Sequence, residues 1–254
     1  MPKLYVISDV HGFFDEMKRA LDEAGFDPNN EQHHLVVCGD CFDRGDQSVE
    51  VMRYLIRLPR KTLILGNHEE LFRDCCSRGY AYSHDYSNGT FDTICELGGA
   101  GEGLPFDECC IRAENRTRHF LDQFVNYLET DRYIFVHSWI PLTRKDDFPA
   151  WYTKNRIFEY NPDWRNASDE EWRAAAWGNP FDLAARGFNQ TGKTIVFGHW
   201  HCSTGWARFE GRSEFGPDAK FDPYYGDGFI AIDACTAYTH KVNCLVLEDD
   251  FLEE

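Results

Sequence analysis

Leu4-Tyr5-Val6-Ile7-Ser8-Asp9-Val10-His11-Gly12 is the stretch on which the fold turns. An apolar run of strand length breaks there into a carboxylate, an imidazole and a glycine. The same change recurs twice: Leu35 to Cys38 runs into Gly39-Asp40-Cys41-Phe42-Asp43-Arg44-Gly45, and Thr62 to Leu65 into Gly66-Asn67-His68-Glu69. Polar residues that emerge where strands end lie at the sheet edge that receives ligands in layered α/β folds. Carboxylates, imidazoles and an amide gathered there are oxygen and nitrogen donors suited to divalent metals. In Asp-x-His, residues two apart on an extended chain point the same way, so Asp9 and His11 can grip one ion together. Asp40 stands where one carboxylate can bridge two ions ~3.5–4 Å apart, and Asn67 offers an amide oxygen. Later strand ends bring His137, after Tyr133 to Val136, and His199 and His201, in Gly198-His199-Trp200-His201.

Forty-three acidic against 26 basic residues leave a formal charge of -17. That balance argues against a general electrostatic grip on nucleic acid or on an anionic membrane. The 254 residues can form one large α/β domain or two small ones. No Pro/Gly/Ser linker is long enough to divide them, so one domain over 1–254 is expected, with insertions at about 70–130 and 141–190. The ten cysteines include the adjacent pairs Cys75-Cys76 and Cys109-Cys110 and no zinc-type spacing, which reads as reduced thiols. The chain enters a strand at once, and no apolar stretch approaches the ~20 residues of a membrane helix. A soluble, cytoplasmic protein is expected.

Apolar stripes at helical spacing (Met17, Ala20, Leu21, Ala24; Val49, Met52, Leu55, Ile56) predict crossover helices from Phe13 to Ala24 and from Ser48 to Leu58. Residues 70–130 carry no strand-like run. Gly98 to Gly103 separates two helical stretches, the second holding Ile111, Phe120, Leu121, Phe124, Val125 and Leu128. Further strands are expected at Thr194 to Phe197, Phe229 to Ile232 and Val242 to Leu247, the last β-branched and apolar like a central strand. Five of the seven tryptophans fall between Trp139 and Trp177, around a helix whose start, Ser168-Asp169-Glu170-Glu171, is a capping box. Such a cluster is more often a satellite core than a binding surface, with nucleobase stacking as the alternative.

The order DxHG, GDxxDRG, GNHE, Val136-His137 and GHxH resembles the calcineurin-like metallophosphoesterase superfamily over residues 4 to about 247. Within it the chain is similar to the bacterial serine/threonine-phosphatase and diadenosine-tetraphosphatase branch. The resemblance implies a four-layer α/β/β/α sandwich and two divalent ions, manganese first, with iron, zinc or magnesium as alternatives. It implies Asp9 and His11 on the first ion, Asp40 as the bridge, and Asn67, His137 and His199 on the second. His201 would join the first, as in the wider superfamily. Trp177-Gly178-Asn179-Pro180 resembles the segment where some relatives carry a second phosphate-binding Arg. Asn179 stands there instead, with Arg173, Arg186 and Arg208 as substitutes. Tyr238 resembles a pocket tyrosine.

The chemistry follows from these parts. Two cations acidify a shared water and neutralise phosphate oxygens, so that hydroxide attacks phosphorus in line. His68 would protonate the leaving oxygen, oriented by Asp43 through its other ring nitrogen, and Arg44 would bind phosphate oxygens two at a time. Hydrolysis of phosphate monoesters is expected, on a phosphorylated protein, peptide or small ester. A dinucleoside polyphosphate is the alternative substrate, and a non-catalytic metal-binding scaffold the reading outside enzymes. Taken singly, Asp9 and Asp40 would be helix caps, His137 a core histidine and Asp43-Arg44 a surface pair. An intact Asp43, Arg44 and His68 argues against the scaffold, since a binding module has no use for an oriented proton donor.

Overall fold

Alternate side chains of the strand beginning at Lys3 go to different cores: Leu4 and Val6 to one, Tyr5 and Ile7 to another. This is why the run is apolar throughout, as expected of a strand covered on both faces. The computed structural model describes residues 2–99, 103–145 and 158–250. Strands β1 (Lys3–Ile7), β2 (His33–Cys38) and β3 (Lys61–Ile64) alternate with helices α1 (Phe14–Glu23) and α2 (Ser48–Arg57), close to the predicted bounds. Next come α3 (Asn67–Arg78), α4 (Ser83–Asn88), α5 (Thr90–Gly98), α6 (Phe106–Leu121), β4 (Phe124–Val125), β5 (Leu128–Glu129) and β6 (Tyr133–Phe135). The chain continues through β7 (Leu142–Arg144), β8 (Phe158–Tyr160), α7 (Asp169–Ala176), α8 (Pro180–Ala185) and β9 (Thr194–Phe197). It closes with α9 (Cys202–Glu210), β10 (Tyr224–Gly226), β11 (Phe229–Ala231), α10 (Thr236–Thr239) and β12 (Leu245–Glu248).

Two five-stranded sheets result, ordered β12-β1-β2-β3-β4 and β10-β11-β9-β6-β5, with β7 and β8 forming a separate hairpin-like pair. Leu4, Val6, Val36 and Ile64 of the first sheet meet Phe135, Val196 and Ile230 of the second in the core between them. The outer face of the first sheet is covered by α1, α2, α3, α5 and α6 through Met17, Val51, Phe72, Ile94 and Phe120. That of the second is covered through Trp172, Phe181 and Cys202. The four-layer α/β/β/α sandwich is thus present. The segments expected as insertions supply much of its outer layers.

Two expectations about individual elements are corrected. Phe124, Val125 and Leu128 are not helical: α6 stops at Leu121, β4 pairs parallel with β3, and β5 pairs antiparallel with β6. Open sheet edges offered backbone partners that outweighed a helical spacing. The Val242 to Leu247 run is not central either. β12 lies at the edge of the first sheet, antiparallel to β1, with Leu245 inward and Val246 40% exposed. As expected, two helical stretches lie on either side of the Gly-rich piece, α3 to α5 before it and α6 after it, among the described residues.

The tryptophan cluster is core. Trp139, Trp164 and Trp172 are buried, and Tyr127 stacks on Trp172 with ring centroids 5.2 Å apart. Ser168 caps α7 with the predicted capping box. Trp151 lies outside the described residues, and Trp177 is exposed. Trp164→Leu should therefore lower stability by roughly 2–4 kcal/mol, in the range for truncating a buried aromatic. Thermal melts would read this, and KM should change alike for a small ester and a nucleotide. A KM effect on the nucleotide alone, at unchanged Tm, would restore the stacking role.

Candidate active site

Parallel pairing decides which strand ends meet. β1 and β2 run in register from Lys3 opposite His33 to Ile7 opposite Val37, and β2 and β3 end with Cys38 opposite Ile64. Asp9, Asp40 and Asn67 therefore leave the sheet at one edge. In the second sheet, β6 and β9 are parallel with Phe135 opposite Val196, and β9 is parallel to β11. His137, His199 and Asp233 leave that sheet together. The two edges converge where the backbone N–H of His199 donates to Asp9 Oδ2 (2.9 Å).

The loops that follow are held in costly conformations. Asp9, His11, Asp40, Asp43, Arg44 and His199 all have φ between 49° and 74°, a region that disfavours L side chains by about 1 kcal/mol or more each. Neighbouring loops compensate: His11 N–H donates to Asp40 O (2.9 Å), and Gly45 N–H to His11 O (2.8 Å). One buried carboxylate, Glu69, accepts from the N–H groups of Asp40 (3.0 Å), Cys41 (2.7 Å) and Gly66 (3.0 Å), tying the second motif to the third. Close approach explains two glycines. A Cβ on Gly66 would overlap Asp40 Oδ1, and one on Gly198 would overlap Asp9 Oδ2.

Asp40 is the centre. Its Oδ1 accepts from His68 N–H (3.0 Å) and lies 3.4 Å from His137 Nε2; its Oδ2 lies 3.8 Å from His11 Nε2 and 3.9 Å from His68 Nε2. Two groups capable of holding a cation share it: His11, Asp40 and His68, and Asp40, His137 and His199. Asp9 Oδ1 is 3.9 Å from His11 Nε2.

Tautomers follow from the backbone. His11 Nδ1 faces Phe42 O (2.9 Å) and His137 Nδ1 faces Cys38 O (2.9 Å). Carbonyl oxygens only accept, so both Nδ1 atoms carry the proton and both Nε2 lone pairs point into the site. The His137 Nε2 lone pair then lies 2.8 Å from Asn67 Oδ1, another acceptor. Burial drives the His137 pKa down from its ordinary value, against the opposing pull of Asp40. His199 Nδ1 lies 3.1 Å from the same His137 Nε2, and this O/N donor set beside Asp40 suits manganese, iron or zinc.

Charge separates the histidines. Burial first, then Arg44 and His68, holds His11 well below its ordinary pKa; burial and His137 lower His199 to about 3. His68 moves the other way, because Asp40 and Asp43 together outweigh its burial. Its Nδ1 lies 2.7 Å from Asp43 Oδ2. Burial would raise Asp40, but His137, His68, His11 and His199 reverse this and hold it below the usual carboxylate range. Asp9 is pushed well up by burial and then by Asp233 and Asp40, and Asp233 is raised to about 6, chiefly by burial.

Arg44 sits at the mouth. Its residue is exposed while Nη1 reaches His11 Nε2 (2.6 Å) and Nη2 reaches His68 Nε2 (3.1 Å).

Three predicted residues are not brought to this cluster. His201 caps α9 and turns away: its Nδ1 bonds Ser203 Oγ (2.7 Å), and its ring packs on Phe215 and Phe221. His199 has a left-handed φ of 64° and His201 is already the N-cap of the next helix, so strand alternation no longer relates the two side chains. Asn179 caps α8 by accepting from Asp182 N–H (3.1 Å). Tyr238 is 55% exposed and packs against Phe215 and Phe221. Of the substitute arginines, Arg173 pairs with Glu70 and Arg208 with Asp182. Sequence reading missed Asp233 and assigned Glu69 no role. Asp233 follows the apolar Phe229 to Ile232 run and was open to the strand-end rule that found Asp9 and Asp40.

Two cation-capable groups sharing Asp40 thus lie where the edges of the two sheets of an α/β sandwich meet. The chain belongs to the calcineurin-like phosphoesterase family, whose family model matches residues 2–203. It is 46% identical over 66 residues to a symmetrical bis(5'-nucleosyl)-tetraphosphatase of Serratia proteamaculans, covering 26% of this chain and 23% of that one. A namesake from Glaesserella parasuis is 41% identical over 66 residues, covering 26% and 24%. The chain thus matches about a quarter of the length of these curated relatives. Among solved structures, a cold-active protein-tyrosine phosphatase of a psychrophilic Shewanella superposes with TM-score 0.52 at 18% identity, over 98% of this chain and 76% of that one. A serine/threonine phosphatase of Saccharomyces cerevisiae does so with TM-score 0.50 at 13% identity, over 100% and 81%. At these identities the likeness is one of fold.

Proposed function

We propose that this metal-dependent phosphoesterase hydrolyses phosphate monoesters at the Asp40 cluster. The observation that carries the reading is geometric: His11 and His137 give Nδ1 to backbone carbonyls and turn Nε2 toward Asp40, while His68 Nδ1 lies 2.7 Å from Asp43 Oδ2, and the pKa directions, down for His11, His137 and His199 and up for His68, agree. One set suits holding metal, the other giving a proton. Asp9 and His11 would hold one ion, Asn67, His137 and His199 another, and Asp40 both, with manganese the first choice. Bound there, divalent ions acidify water and neutralise phosphate oxygens. Arg44 would bind the phosphate at the open side. Drawn onto phosphate, Arg44 would release His68 Nε2, which would then take up a proton from water and deliver it to the leaving oxygen while Asp43 holds Nδ1–H.

A second reading, hydrolysis of a dinucleoside polyphosphate, takes its support from the bis(5'-nucleosyl)-tetraphosphatase relatives. Manganese-loaded protein is expected to hydrolyse p-nitrophenyl phosphate and a phosphopeptide with higher kcat/KM than a dinucleoside tetraphosphate. The reverse order would replace the first reading with the second. Turnover of none of them would remove both.

A further inference from the structure

The family motifs place Asp43 behind His68 but leave open what places Asp43. The geometry points to Thr90, at the start of α5, as a positioning residue for the Asp43–His68 pair, an inference that rests on the hydrolase reading above. Thr90 Oγ1 donates to Asp43 Oδ2 at 2.6 Å, the same oxygen that accepts from His68 Nδ1 at 2.7 Å. The other oxygen, Oδ1, is buried with no hydrogen-bond partner among the described residues. Thr90 and His68 are therefore the donors that a fully buried carboxylate has, and loss of either leaves it poorly satisfied.

The same helix start grips the backbone of the motif. Asp43 N–H donates to Thr93 Oγ1 at 3.1 Å, and Thr90, Thr93 and Asp43 are all fully buried. Gly89, with φ 87°, lies so close to Arg44 that a Cβ there would overlap the Arg44 nitrogen. Asp43 and Arg44 are consecutive residues with φ of 74° and 68°, a conformation that persists only where surroundings enforce it. A segment far along the chain from the motifs thus sets the carboxylate that sets the acid. Thr90 fixes which Asp43 oxygen faces His68 and keeps that oxygen from rotating away.

The test is Thr90→Val, which keeps the shape and removes the hydroxyl, beside Thr90→Ser, which keeps it. With p-nitrophenyl phosphate and manganese, Thr90→Val should lower kcat roughly 10- to 100-fold, the range for groups that orient a functional side chain from behind. KM and metal content should stay near wild type, and Thr90→Ser should recover most of kcat. In protein carrying isotope-labelled histidine, the His68 Nδ1 proton, assigned by its loss in His68→Asn, should move downfield in Thr90→Val, because Asp43 then accepts from His68 alone. It should return in Thr90→Ser. An unmoved proton resonance, or unchanged kcat in a well-folded Thr90→Val, overturns the inference. A wild-type protein inert toward every phosphoester, with the resonance still moving, would end the hydrolase reading and leave the Thr90 contact standing.

Discussion

Asp40→Asn is expected to abolish phosphoester hydrolysis and to reduce bound metal below two ions per chain. Asp40 is 2% exposed and is the residue common to both cation-capable groups. Its two oxygens face different histidines, His137 on one side and His11 and His68 on the other. An amide there removes the carboxylate's negative charge and points hydrogens at the lone pairs around it. Elemental analysis after loading with manganese would read the stoichiometry. In wild type, a chelator should remove activity and manganese restore it. Two ions and full turnover in Asp40→Asn would rule out the bridging role, and one ion at full wild-type activity would rule out the two-metal mechanism.

His68→Asn should lower kcat by roughly 10²-fold or more, the scale of a positioned general acid, at unchanged metal content. The motivation is the 2.7 Å contact with Asp43 and a pKa raised where neighbouring imidazoles are lowered. A raised pKa keeps the acid protonated to higher pH, so the alkaline limb of kcat should reflect its loss. Asp43→Asn removes one cause of the rise and should move that limb to lower pH. Because His68 Nε2 also lies among the cation-capable atoms with His11 and Asp40, metal loss in His68→Asn would make it a ligand and send the search for the acid elsewhere.

The ten cysteines illustrate what an intact site makes unnecessary. All are free, and burial pushes the Cys75 and Cys244 thiols up to about 12. A buried, protonated thiol is a poor nucleophile. The adjacent pairs Cys75-Cys76 and Cys109-Cys110 pack in the core under the first sheet. Among the described residues no helix is long and apolar enough to cross a membrane.

What the sequence determined by itself was local. Apolar runs that break into polar residues mark strand ends whatever surrounds them and singled out Asp9, Asp40, Asn67, His137 and His199 as candidates, while the sandwich and the Asp43–His68 pair were implied by the resemblance of the ordered motifs to a known superfamily. Tertiary structure decided the rest, because direction and pairing are not local. His201 shares a motif with His199, yet it stands at the N-cap of helix α9, immediately before Cys202, and its ring packs on Phe215. Phe124 and Val125 keep helical spacing, yet the open edge of β3 claimed their backbone. Trp164 and Trp172 became core because the outer face of the second sheet had to be covered. Thr90 carries no motif at all. It acquires a role because α5 packs beside the Asp43 loop and delivers a hydroxyl to a carboxylate 47 residues earlier in the chain, a contact that no periodicity encodes.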